Sequence, residues 1–184
     1  MDLSAGSTVS LAGVITAWML HAGAGIPLSV AAGLLTGIAA GVLNGLLIHY
    51  TKISFFIITL AMSGMLRGIS LIITGGRPIT RFGAAFMTIG TGRLAGIQIS
   101  VWIAVILTLA AAVVLNCTRW GSYIRTLGSN PEALQKCGIG IAGYRISVQA
   151  VMGLAAAITA VIITARLNSC LLYTSPSPRD TERS

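Results

Sequence analysis

Between Pro27 and Ile48 the chain reads PLSVAAGLLTGIAAGVLNGLLI, 22 residues without a charge. A helix rises 1.5 Å per residue, and a membrane span needs an apolar run of roughly 20 residues to cross about 30 Å of hydrocarbon. Pro27 suits the first helical turn, where its missing N–H leaves no bond unmade. Gly33, Gly37, Gly41 and Gly45 recur every fourth residue. That spacing places them on one side of the helix, as a groove without side chains. In lipid, helices gain little from apolar contact with one another, and close backbone approach takes over. The four glycines are therefore a candidate helix-packing face. Gly64 and Gly68 repeat the spacing once.

Working outward, four more runs have the same character: Leu3–Leu20, Ile53–Ile73, Ile97–Asn116 and Ile146–Ala165. Among these only Ile53–Ile73 holds a charge, Arg67. Near a span end its side chain can reach the interface, or it can line a polar path. The whole chain is 55% hydrophobic and 9% charged, with mean hydropathy +0.88. A soluble domain carries roughly 25% charged residues. The expected fold class is all-α: a polytopic integral membrane helical bundle of about five transmembrane helices.

Net charge is +8, but the basic residues sit singly between apolar runs. Nucleic-acid binding needs them clustered on one face, so topology is the better explanation. The stretch Thr118–Arg145 carries Arg119, Arg125, Lys136 and Arg145, while Thr74–Gly96 carries Arg77, Arg81 and Arg93. These two loops flank the fourth span and so lie on opposite sides. The turn at Thr51–Lys52 adds one basic residue to the first side, and the excess places Thr118–Arg145 in the cytoplasm.

Catalytic chemistry is missing. There is no GxxxxGKS/T loop for ATP, no HExxH and no GxSxG. The acids are Asp2, Glu132, Asp180 and Glu182, and none lies in mid-span, where an ion-coupled carrier would keep one. His21 and His49 sit at span ends as interfacial polar residues. Cys117, Cys137 and Cys170 are far apart, which gives neither a disulfide framework nor a metal site. No catalytic residue, metal or cofactor is expected, and uphill transport would have to draw its energy from a partner.

The loop Thr118–Arg145 predicts a helix of its own. Ser129 or Asn130 can cap it, Pro131 suits its first turn, Glu132 favours its positive end, and Gly138 can close it in a left-handed cap. A short helix between two spans is either a linker or a coupling element that slots into a cytosolic ATPase.

At this point the residues resemble the permease subunits of bacterial ABC importers of the ribose/xylose/autoinducer type. Asp2–Ser7 resembles a DLSxGS segment, and Asn44-Gly45 an NG at a span end. Phe56–Leu60 is similar to FIVTL, and Leu66–Gly68 with Thr74–Ile79 to LRG…TGGRPI. Trp120–Ala133 followed by Cys137–Ile139 is similar to GRxxxAIGGNxEAA…SGI, and Ala165–Ser169 to SRLxS. Departures are Phe55 for a proline, Ala61 for a glycine and Gly121-Ser122 for GR. The looser pattern EAxxxxG survives through Glu132, Ala133 and Gly138.

The resemblance implies an incomplete permease domain over 1–169, a central fragment of a longer multi-pass protein of the bacterial inner membrane. Residues 170–184 read as a non-native or disordered tail. It implies an ATP-driven importer of ribose-like monosaccharides without an ATPase site of its own. The partners would be a cytosolic ABC ATPase that binds the ATP, a second permease subunit and a periplasmic sugar-binding protein. The coupling helix would then comprise Asn130, Pro131, Glu132, Ala133 and Gly138, with its loop in the cytoplasm. Arg77, Arg81 and Arg93 become candidates for contact with the binding protein. Asn44, Thr59 and Ser63 are candidates for lining the translocation path, although each could instead bond its own helix backbone. Two rival classes are a secondary carrier, which the missing acids disfavour, and a non-transport membrane assembly protein held by the glycine face.

Overall fold

The computed structural model describes residues 2–51, 53–77, 79–80, 82, 84–94, 96–129, 134, 136–138, 140–167 and 169–170. Each of the five apolar runs forms a helix: α1 (Ala5–His21), α2 (Ile26–Thr51), α3 (Phe55–Thr74), α5 (Ile99–Cys117) and α7 (Ile141–Leu167). All but α1 are long and apolar enough to cross a membrane. At 17 residues, α1 lies at the short end of the range for a span of about 17–25 residues. The chain is a polytopic helical membrane protein.

Small residues set the architecture. Helix α1 runs through the middle, with Ala12, Val14, Thr16 and Ala17 fully buried. Helices α2, α3 and α7 close around it. The glycines of α2 meet two neighbours in turn. A Cβ on Gly33 would strike Thr16 of α1, and one on Gly37 would come within 2.5 Å of Ala157 Cβ on α7. A Cβ on Gly41 would collide with the carbonyl oxygen of Gln149, and one on Gly45 would lie 2.9 Å from Ile146 Cα. From α7, Gly153 returns the contact against the backbone of Gly37. With no side chain between them, α2 and α7 pack backbone to backbone and antiparallel. By contrast, a Cβ on Gly64 or Gly68 of α3 meets nothing within 4 Å.

The outer faces are apolar and open. Leu35 of α2, Ile72 of α3 and Ile106 of α5 are 65%, 82% and 61% exposed. In water each would cost about 1.5–3 kcal/mol relative to burial; in hydrocarbon it costs nothing. Helix α5 has no buried residue at all and is held at its ends. At its start Ile99 N–H donates to Gly92 O, and the Ser100 hydroxyl and the Gln98 amide both donate to Gly90 O.

Three features differ from the sequence-based expectations. The stretch Thr74–Gly96, expected as a loop, carries β1 (Ile79–Thr80), α4 (Ala84–Thr91) and β2 (Arg93–Leu94). Phe82 and Phe86 from this stretch are buried against Val14, Ala17, Val161 and Ala165. Eight apolar-leaning residues are too few for a hydropathy window to notice. A second helix, α6 (Arg119–Ser129), precedes the anticipated coupling helix. Helix α7 starts at Ile141, five residues ahead of its apolar run, because helical hydrogen bonding continues through Arg145 after the hydropathy has fallen.

Short ladders complete the fold: β2 pairs antiparallel with β3 (Ile97–Gln98), and β1 with β4 (Ser169–Cys170). Gly75, at φ 59°, ends α3 in the left-handed conformation that glycine adopts without strain.

Candidate functional site

The starts of α1, α3 and α7 and the end of α2 meet at one end of the bundle. There the sequence supplies a cluster of neutral polar groups around Asp2. The Asp2 carboxylate accepts from the Ser4 backbone N–H at 2.8 Å and the Ser4 hydroxyl at 2.7 Å. Gln149 of α7 donates its amide towards the other carboxylate oxygen at 3.5 Å. Asn44 of α2 donates to Ser4 Oγ at 3.0 Å. One turn further in, the hydroxyls of Ser7 and Ser63 bond at 2.8 Å, joining α1 to α3.

The proton inventory of this cluster settles the orientation of Asn44. A carboxylate only accepts, so the single hydroxyl proton of Ser4 goes to Asp2. Ser4 Oγ can then only accept from Asn44, which fixes Nδ2 as the bonded atom. Asn44 is 2% exposed, and its Oδ1 is buried without a partner among the described residues. A buried acceptor left unpaired costs about 1–3 kcal/mol.

The three residues expected along a translocation path thus separate. Asn44 faces the cluster with one free acceptor. Ser63 is bonded to Ser7 between two helices. Thr59 is fully buried and returns its hydroxyl to the carbonyls of Phe55 and Phe56, both at 3.1 Å. Asp2, Ser4 and Ser7 entered the sequence reading only through the DLSxGS resemblance, without a role in the site, and Gln149 was not singled out. Gln149 was the legible one: an amide inside an otherwise apolar span is costly unless it has a task.

Of the candidate coupling residues, Asn130, Pro131, Glu132 and Ala133 lie outside the described residues. Leu134 and Lys136 are helical, Leu134 is 4% exposed, and Gly138 has φ 73°. The preceding helix α6 is tied to both of its neighbours. Trp120 Nε1 donates to Ser147 Oγ at 3.2 Å, and Tyr123 stacks edge-on against Tyr144 at 5.5 Å between centroids. Arg125 donates to Leu115 O at 3.0 Å and to the side-chain oxygen of Asn116. The last carbonyls of a helix lack intrahelical donors and carry partial negative charge. Arg125 therefore caps α5 while belonging to α6.

At the opposite end, Arg77 and Arg93 are exposed, and Arg81 lies outside the described residues. No group of three or more metal-ligating side chains occurs among the described residues.

Comparison with known proteins agrees with this architecture. The family described as "Branched-chain amino acid transport system / permease component" matches residues 1–176. The chain is 38% identical over 173 residues to the Ribose import permease protein of Haemophilus influenzae, covering 92% of this chain and 54% of that one. It is 33% identical over 168 residues to the L-arabinose transport system permease protein of Escherichia coli, covering 91% and 51%. It is 31% identical over 167 residues to the Autoinducer 2 import system permease protein of Salmonella choleraesuis, covering 91% and 48%. The chain spans about half the length of the curated relatives it matches. No solved structure matches it.

Proposed function

We propose that this chain, which belongs to the permease-component family of the branched-chain amino acid transport systems, forms part of the membrane pathway of an ATP-driven importer of ribose-like monosaccharides. The observation that carries the reading is its similarity, over nearly its whole length, to permeases named for ribose import. The polar cluster supports it chemically. A monosaccharide is neutral and hydroxyl-rich, and the free Oδ1 of Asn44 can accept from a hydroxyl without a charge being buried.

In this reading the cytosolic partner is an ATPase that binds ATP, so the permease needs no cofactor. Loop 118–145 is cytoplasmic, and Asn130, Pro131, Glu132, Ala133 and Gly138 form the element that the ATPase moves. Helix α6 lies directly before that element, and its bonds to α5 and α7 give the displacement two rigid routes into the membrane. A second permease subunit completes the pathway in the inner membrane. A sugar-binding protein docks on the other face, where Arg77, Arg81 and Arg93 meet its acids.

The test is Glu132→Arg in cells that carry the ATPase and the binding protein. ATP hydrolysis should continue while labelled ribose uptake falls, or the ATPase should no longer co-purify. Uptake at the wild-type level with the ATPase still bound would sink the coupling role.

A further inference from the structure

The same end of the bundle holds a cleft that borders the polar cluster and shares Gln149 with it. It lies between the last turn of α2, helix α6 and the first turns of α7, with a volume of about 630 Å³. Its walls are mostly apolar, built from residues such as Ile48, Phe55, Ile124 and Leu127; its polar side chains are Gln149, towards the Asp2 cluster, and the basic pair His49 and Arg145.

Three observations define what such a cleft takes. First, Arg145 is exposed and sits one turn into α7, at the point where the apolar run begins; that is the depth of the membrane–water boundary. Second, among the described residues no carboxylate pairs with it. Asp2 is held by Ser4 and Gln149 and does not line the cleft. Third, α6 is amphipathic. Trp120, Tyr123, Ile124 and Leu127 are half-buried on its inner side, while Arg119, Ser122 and Arg125 are exposed on the other. Trp120 and Tyr123 pack on Ser147 and Tyr144 of α7, while Ile124 and Leu127 turn into the cleft, so an amphipathic helix at the interface supplies the cleft with an apolar wall.

A neutral sugar would leave the cation and most of the apolar wall without a complement. A soluble anion would use the cation alone. An amphiphile with an anionic head uses both, and basic pockets between spanning helices hold anionic lipid headgroups for this reason. We propose that the cleft is a binding site for an anionic phospholipid, its phosphate on Arg145 and His49 and its acyl chain along Ile48, Phe55, Ile124 and Leu127. The inference does not depend on the transported substrate.

The experiment uses the chain in nanodiscs of phosphatidylcholine with a small fraction of phosphatidylglycerol, and counts retained lipid by native mass spectrometry. One phosphatidylglycerol per chain is expected. Arg145→Ala should weaken retention roughly fivefold, the effect of one interfacial basic residue. Arg119→Ala removes an exposed arginine outside the cleft and should leave retention unchanged. Millimolar inorganic phosphate should displace no lipid. Unchanged retention in Arg145→Ala, or an equal loss in Arg119→Ala, would overturn the site in favour of diffuse attraction. Displacement by inorganic phosphate would make it a soluble-anion site and overturn the lipid assignment.

Discussion

At Gly41 the absence of a single methyl group decides how close α2 and α7 come. A Cβ there would meet the Gln149 carbonyl, which belongs to a helix backbone and cannot turn aside. Gly41→Ala should therefore force the helices apart and lower stability by about 1–3 kcal/mol, the usual range for overpacking. Gly64→Ala adds its methyl to open space and should gain about 0.5–1 kcal/mol from helix propensity. Thermal unfolding of both variants in one detergent checks the contrast; equal shifts would remove the packing argument. The same pair shows what sequence can and cannot tell. A spacing of four places glycines on one face in both helices, but spacing carries no information about which face another helix occupies. Asn44 and Thr59 make a second contrast. Both looked equally suited to a polar path. Thr59 returns its hydroxyl to its own helix, whereas Asn44 keeps an acceptor without a partner among the described residues. Asn44→Ala should reduce ribose uptake roughly tenfold, the value of about one hydrogen bond to a buried acceptor. Thr59→Val should transport as the parent does. Uptake assays on cells with equal amounts of each variant in the membrane distinguish the two.

At the scale of elements, the corner between α5 and α6 is the join on which the proposed transmission rests. A Cβ on Gly121 would lie 2.5 Å from Leu115 Cα and would strike the Leu115 carbonyl. Only glycine lets α6 fold back this sharply and bring Arg125 onto the end of α5 and Trp120 onto Ser147. Gly121→Ala should break these bonds and cost about 1–3 kcal/mol. In Gly128→Ala, on the same helix, the new methyl meets nothing and should leave the fold intact. Loss of the Trp120–Ser147 bond would be read as a shift in tryptophan emission in a background lacking Trp18 and Trp102. An unshifted spectrum in Gly121→Ala would show that the corner tolerates a side chain. The five long helices were legible because hydropathy over some twenty residues needs no knowledge of partners. Helices α4 and α6 were not. The first is short and owes its burial to Phe86 meeting α1 and α7; the second is polar on average and reveals itself only through the face it turns inward.

Across the whole molecule, the antiparallel contact of α2 with α7 and the bonds of α6 to α5 and α7 bring several segments to one end: the close of α2, the close of α5, all of α6 and the start of α7. Cys117 and Cys137 are both exposed at this end, while Arg77 is exposed after the far end of α3. This arrangement, with the excess of basic residues in 118–145, predicts a labelling pattern. In a Cys170→Ser background, a membrane-impermeant maleimide should modify Cys117 and Cys137 in inside-out vesicles and spare them in right-side-out ones. A cysteine placed by Arg77→Cys should show the reverse. The possible failures separate cleanly. If Cys117 and Cys137 label from opposite sides, α6 does not fold back along one surface, and its link from the coupling loop to the spans is lost. If they label together but only from outside, the arrangement of the helices stands and the orientation is inverted, so that the ATPase could not reach Glu132. Labelling together from inside leaves α6, the Asp2–Asn44 cluster and the lipid cleft on the side where ATP is hydrolysed. In the proposed coupling, a movement started there would reach the bilayer through the joins of Arg125 to α5 and of Trp120 and Tyr123 to α7.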